Sequence, residues 1–317
     1  MSAPAIDVPV EAAPVSVPRW AERLLVREPG TPLALFRIGV GLSLLLSLGS
    51  VWLHGDVGIL WLDPSHGGLS PTSPGWLFHL LGGADLTRIH LVLGATMACG
   101  ACLVLGLGNR LPAVIALVGY PALVGLQVDA GGSYDSLMGN ALWLLVLADS
   151  TATLSLDARL RKGSFITGAR VPAWPRWLVL YQLVLMYLCT GLQKVSDTWV
   201  PGGSLSAIYF IMQQPTWQRG DMHWLAHIFP LTQAATLSVW LFEVGSPLLL
   251  LAILLERGQG RVARFLRFIP YRRAWAAFGL SLHLGIWLAL EVGCFPILAM
   301  SFYAALWAPH DVERARG

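Results

Sequence analysis

Lysine is almost missing from this chain: of 21 Lys and Arg residues among 317, only Lys162 and Lys194 are lysines. Charge of either sign is scarce, with 12% of residues charged against 55% hydrophobic and a mean hydropathy of +0.62. That balance excludes an ordinary soluble domain and marks a polytopic membrane protein. Net charge is only +3, and the basic residues follow membrane topology, so nucleic acid is excluded as a partner. Cysteine is limited to four residues. Cys99 and Cys102 have Cys-x-x-Cys spacing, but in mid-helix among apolar neighbours a thiol behaves as a small hydrophobe, which excludes a redox centre. A basic start and a continuous apolar core are lacking before Arg19, so no cleavable leader is expected. No internal repeat is detectable, and no soluble stretch is long enough for a second core.

What is present is apolar helix. Hydrocarbon about 30 Å thick needs roughly 20 apolar residues per crossing. Candidate spans lie near 33–53, 88–107, 111–128, 136–154, 174–194, 232–255, 274–290 and 293–308. The fold expected is therefore an all-α, polytopic integral membrane helix bundle with about eight transmembrane helices. Residues 1–17 read as a disordered tail, 18–30 as an interfacial amphipathic helix, 31–309 as the membrane domain and 310–317 as a cytoplasmic tail.

Arginine placement orients the bundle. With the N-terminus inside, 17 of the 21 basic residues fall in inner segments and only Arg88, Lys194 and Arg219 in outer ones, as cytoplasmic loops require. Both termini are then cytoplasmic, in a multi-pass protein of the inner membrane. Arg37 lies close enough to the inner surface to snorkel.

Lys194 closes the apolar stretch from Leu178 and is a functional candidate, because an ionisable group in a membrane helix faces a bundle interior or a wet cavity. At 1.5 Å per residue, Glu243 lies about 16 Å from the outer entry at Thr232, and His283 about 14 Å from the inner entry at Ala274. Asp135, Lys194 and Glu291 sit at the outer ends of the fourth, fifth and seventh spans. Read structurally, these groups neutralise one another, Lys194 with Asp135 or Glu291 and Glu243 with His283, and fix helix register. His223 and His227, one helical turn apart, have metal-clamp spacing but only Asp221 as a nearby carboxylate. No metal is expected, and an interfacial helix beside Trp217 and Trp224 is the reading preferred. Two outer loops, about 53–87 and 195–231, are sized to roof a pocket.

The run from Gln182 through Tyr187, Gly191, Lys194 and Trp199 to Gly202 resembles the vitamin K-dependent gamma-carboxylase and horizontally transferred transmembrane (HTTM) family. Leu33 to Arg37, Gly131 to Ser136 with Ser155 to Asp157, and Phe278 to His283 extend the similarity from about Leu33 to Trp307. The resemblance implies chemistry on a reduced menaquinone or vitamin K-like quinol, with Lys194 as the base that deprotonates it. It also implies His283 as an orienting or relaying group, Glu243 and Asp135 as further catalytic candidates, and Gln182, Tyr187, Trp199 and Gly202 as cofactor contacts. Physically, desolvation disfavours an ammonium, so a lysine in an apolar site can act as a neutral amine base.

The sequence departs from the carboxylase pattern. Asp135 and Ser136 stand where a histidine-containing stretch is expected, and Gln193 replaces a second lysine. No extracytoplasmic domain for a glutamate-rich substrate is expected after the last span. The expectation is a quinol-dependent membrane enzyme that is not a protein-glutamate carboxylase by itself. It would act on a small-molecule or protein substrate at the outer face, or with a partner protein that supplies the missing domain. The competing class is a non-enzymatic transporter or an interaction and immunity module whose buried ion pairs are structural.

Overall fold

The computed structural model describes residues 22, 26–127, 131–132 and 134–307. The tails expected over 1–17 and 310–317 lie outside the described residues. The principal helices are α1 (Thr31–His54), α2 (Leu86–Leu105), α3 (Leu111–Val124), α4 (Tyr134–Leu147), α5 (Trp174–Gln193), α6 (Ala207–Met212), α7 (Phe229–Val244), α8 (Pro247–Glu256), α9 (Arg261–Phe268), α10 (Tyr271–Ala289) and α11 (Phe295–Phe302). Among the described residues, three stretches are long and apolar enough to cross a membrane: Thr31–His54, Leu86–Leu105 and His223–Val244, the last beginning with the 3-10 turn His223–Ile228.

The central packing unit is α1 against α2, with α3, α4 and α11 around it. Phe36, Leu44, Leu93, Leu142, Leu183 and Phe302 are buried in its core. Sequence punctuation sets the helix ends. Asp85 caps α2 by accepting from Arg88 N at 2.9 Å, a side-chain acceptor for an otherwise unpaired N–H. The expected 232–255 span is instead two helices, because Gly245 and Ser246 interrupt it and Pro247, which has no N–H to donate, opens α8. Ser246 Oγ donates to Val184 O on α5 at 3.1 Å, anchoring the break.

One end of the bundle is basic. Strand β1 (Arg27–Pro29) pairs antiparallel with β2 (Arg170–Pro172) there, so these residues of the expected interfacial helix are extended. The reason is tertiary: Glu28 is buried and binds Arg176 through both carboxylate oxygens, 3.0 Å from Nη2 to Oε2, while Arg176 Nη1 reaches Ala305 O at 2.8 Å. The guanidinium of Arg257 lies 4.6 Å from the Trp177 ring centre, and Arg272 pairs with Glu256. The opposite end joins Arg219 to Glu291 at 3.0 Å and Ser73 N to Leu126 O at 2.9 Å.

Arg37 does not snorkel. It is fully buried and donates to the carbonyls of Leu103, Val104 (3.2 Å), Ser150 (3.2 Å) and Leu154 (2.6 Å). The last carbonyls of a helix have no partner within it, and a cation there also suits the helix dipole. Arg37 thus caps α2 and binds the 150–154 turn to it.

Candidate functional site

Lys194 follows the last residue of α5, and its Nζ donates to both carboxylate oxygens of Glu243 on α7, at 2.5 Å to Oε2. The Glu243 side chain is 7% exposed and that of Lys194 23%, so the carboxylate is buried while the ammonium faces open space. Trp199 lies over the ammonium, with Nζ 4.3 Å from its ring centre, within reach of a cation–π contact. Gly191 makes the pairing attainable. A Cβ at that position would lie 2.9 Å from both Glu243 Cβ and Val244 N, so any larger residue holds α5 and α7 apart.

The pair stands at the edge of an open-sided cavity of about 690 Å³. One wall is a stripe of α7, Ala234, Ala235, Ser238 and Val239, and another a stripe of α10, Phe278, Ser281, Leu282 and Gly285. Both follow the three- and four-residue spacing of one helix face. Ile208, Ile211 and Met212 of α6 close a third side. Among the described residues that line it, Lys194 and Glu243 are the only ionisable ones, and the rest are largely apolar.

His283 sits behind this cavity, on the buried face of α10. Its Nε2 is 2.6 Å from Tyr187 Oη, and Tyr187 is in turn hydrogen-bonded to Tyr303. No partner for His283 Nδ1 is found among the described residues. Aromatic rings enclose the group: Phe242 stacks on Trp275 with centres 4.5 Å apart, and Trp275 on Tyr303 at 5.5 Å. Gly279 permits this, since a Cβ there would fall 1.7 Å from Tyr303 Oη.

The ion pairs of the structural reading are therefore different from those expected. Lys194 takes Glu243, which leaves His283 to the tyrosines. Glu291 takes Arg219. Asp135 is held at the start of α4 by Tyr120 Oη at 2.5 Å and Gly132 N at 2.8 Å, and borders a separate cavity of about 80 Å³ with Ser47 and Gln127. Of the site residues singled out in the sequence, the structure brings Lys194, Glu243 and Trp199 together around one cavity. Gln182, Tyr187, Gly202, Asp135 and His283 are not among its lining residues.

His223 pairs with Asp221, whose carboxyl is held below the usual carboxylate range by the His223 backbone N–H and then by its ring. Among the described residues, no group of three or more His, Cys, Asp or Glu is placed to hold a metal. Sequence reasoning missed Tyr303, whose polar tip inside an apolar run was the available signal. It also missed Ser281, three residues beyond Phe278, and Ser238, which shares the cavity face of α7 with Ala234 and Ala235.

No curated protein and no solved structure matches the chain. The HTTM domain model matches residues 27–255, a stretch that holds Lys194, Trp199 and Glu243 and stops short of His283. This membrane protein belongs to the HTTM domain family.

Proposed function

We propose that Lys194 and Glu243 form the acid–base centre of a membrane enzyme acting on an apolar molecule that carries an ionisable hydroxyl. The class of molecule is a reduced menaquinone or vitamin K-like quinol, as the family resemblance implies. The observation that carries this reading is a single charged pair at the edge of a large, otherwise apolar cavity. Such a cavity fits a hydroxylated ring with a hydrocarbon tail, and its size lies in the roughly 300–1,000 Å³ range of ligand sites.

A quinol bound there supplies an acidic hydroxyl and, on oxidation by dioxygen, two electrons. Lys194 Nζ passes one proton to the Glu243 carboxylate to which it donates and, as the amine, takes the quinol hydroxyl proton in its place: one N–H bond and the hydroxyl O–H bond break, a carboxyl O–H and a new N–H bond form, and the quinol oxygen keeps the electron pair. The ammonium so formed is held between Glu243 and the face of Trp199, which offsets the expense of placing charge in a low-dielectric site. Gly191 and the break after Val244 position the pair. His283, Tyr187 and Tyr303 brace α10 against α5 and the last turn, so they act on the cavity through its wall.

The same reading places eight crossings in an inner membrane, α7 and α8 together making one, with the basic end and both termini in the cytoplasm. A partner protein supplying a substrate-binding domain at the opposite end remains part of the proposal. A photoreactive quinone analogue tests the site. Crosslinks confined to α6, α7 and α10 around Ser238 and Phe278 support it, and crosslinks elsewhere that free quinone does not compete away oppose it.

One observation favours a second reading, a non-enzymatic transporter or interaction module. Both oxygens of Glu243 are engaged by Lys194, which is also what a register-fixing ion pair needs.

A further inference from the structure

We propose that the groove between α1, α10 and α11 at the basic end binds one anionic phospholipid. The groove has a volume of about 520 Å³. Its walls are apolar, formed by side chains such as Ala277, Leu280, Met300 and Trp307, and Arg272 and Arg273 stand at one end of it. Leu280 is seven residues beyond Arg273, about 10 Å along the helix axis. The groove therefore runs from a charged mouth into largely apolar surroundings over the distance that separates a headgroup from acyl chain. Trp307 at its rim is 45% exposed, as suits an indole at the headgroup level.

Charge commits the site to an anion. The charged residues that line the groove among the described residues are Arg272 and Arg273, both cations. Both occupy the first turn of α10, where a helix presents its positive end and unpaired N–H groups, so cations there call for negative charge beside them. Glu256 answers Arg272, accepting from its Nε at 3.1 Å and from Tyr271 Oη at 2.6 Å. Arg273 is exposed at the same mouth, where a lipid phosphate supplies further negative charge while its chain lies along Ala277 and Leu280. The site is separate from the Lys194 cavity and does not depend on the function proposed for it.

Native mass spectrometry of the full chain in detergent tests this, with phosphatidylglycerol, phosphatidylcholine of the same chain length and inorganic phosphate as probes. The wild type should retain phosphatidylglycerol about fivefold more than phosphatidylcholine, the preference expected from one basic contact near a membrane surface. R273Q, a change at an exposed position, should abolish that preference. A277W should lower retention of both lipids by filling the groove. R264Q, on α9 and outside the groove, should leave both unchanged. Equal retention of the two lipids by the wild type would overturn the proposal. So would an R264Q loss as large as that of R273Q, which would mean diffuse charge, or displacement of phosphatidylglycerol by millimolar phosphate, which would mean a free-anion site.

Discussion

Lys194 and Glu243, 49 residues apart in sequence, meet through both oxygens of one carboxylate in the wall of a largely apolar cavity. The contact joins two helix ends of different kinds. Lys194 lies just past the end of α5, and Glu243 just before the break that separates α7 from α8. A membrane bundle does not leave backbone unpaired without compensation, and here Ser246 bonds to α5 at the very interruption that presents Glu243.

Removing one member of the pair should be costly and removing both should not. K194M or E243L leaves a charge without its partner, at about 3 kcal/mol, the low end for buried pairs because Lys194 is partly exposed. The K194M/E243L double variant should recover most of that loss. Thermal unfolding in detergent, run as a double-mutant cycle, measures the coupling. Additive losses would mean that the contact has no energetic meaning.

Gly191→Ala should separate α5 from α7, since its new Cβ would meet backbone at 2.9 Å. Lysine-dependent activity should then fall at least tenfold, while Gly139→Ala, at a position with open space around it, leaves activity intact. Activity measured in the two variants side by side separates a local from a general effect.

Arg37→Met takes the guanidinium donors away from the carbonyls of Leu103, Val104, Ser150 and Leu154, of which Leu103 O keeps the Gly106 N–H at 3.3 Å. Each unsatisfied buried group costs about 1–3 kcal/mol, so a total loss of about 3 kcal/mol or more is expected, seen as a large fall in melting temperature. A small change would mean that this arginine is solvated from the basic end.

Cysteines placed singly at Ser204 and Ser164 should label from opposite sides of the membrane, Ser204 with an impermeant reagent added outside and Ser164 only after the cytoplasmic face is opened. The reverse pattern would invert the proposed orientation.

The sequence made the membrane class legible through composition alone, and Lys194 conspicuous through rarity. Charge pairing was harder to read. Depth along each helix put Glu243 and His283 at similar levels, but rotation about the helix axis decides which groups meet. His283 turns toward Tyr187, whereas Ser281, Leu282 and Gly285 face the cavity. Arg37 misled for a related reason, because proximity to the inner surface says nothing about which carbonyls a neighbouring helix end leaves unpaired. Glu28 and Val171 pair across 143 residues, a relation without any local periodicity to announce it.

The most direct test is oxidation of a reduced menaquinone analogue in air by purified protein, with the wild type beside K194A and K194R. A lysine base requires turnover by the wild type and loss in both variants, with arginine failing because it stays protonated and cannot accept a proton. Binding and turnover unchanged in K194A, or absent from all three proteins, would contradict a lysine base and leave the Lys194 and Glu243 pair as a structural tie.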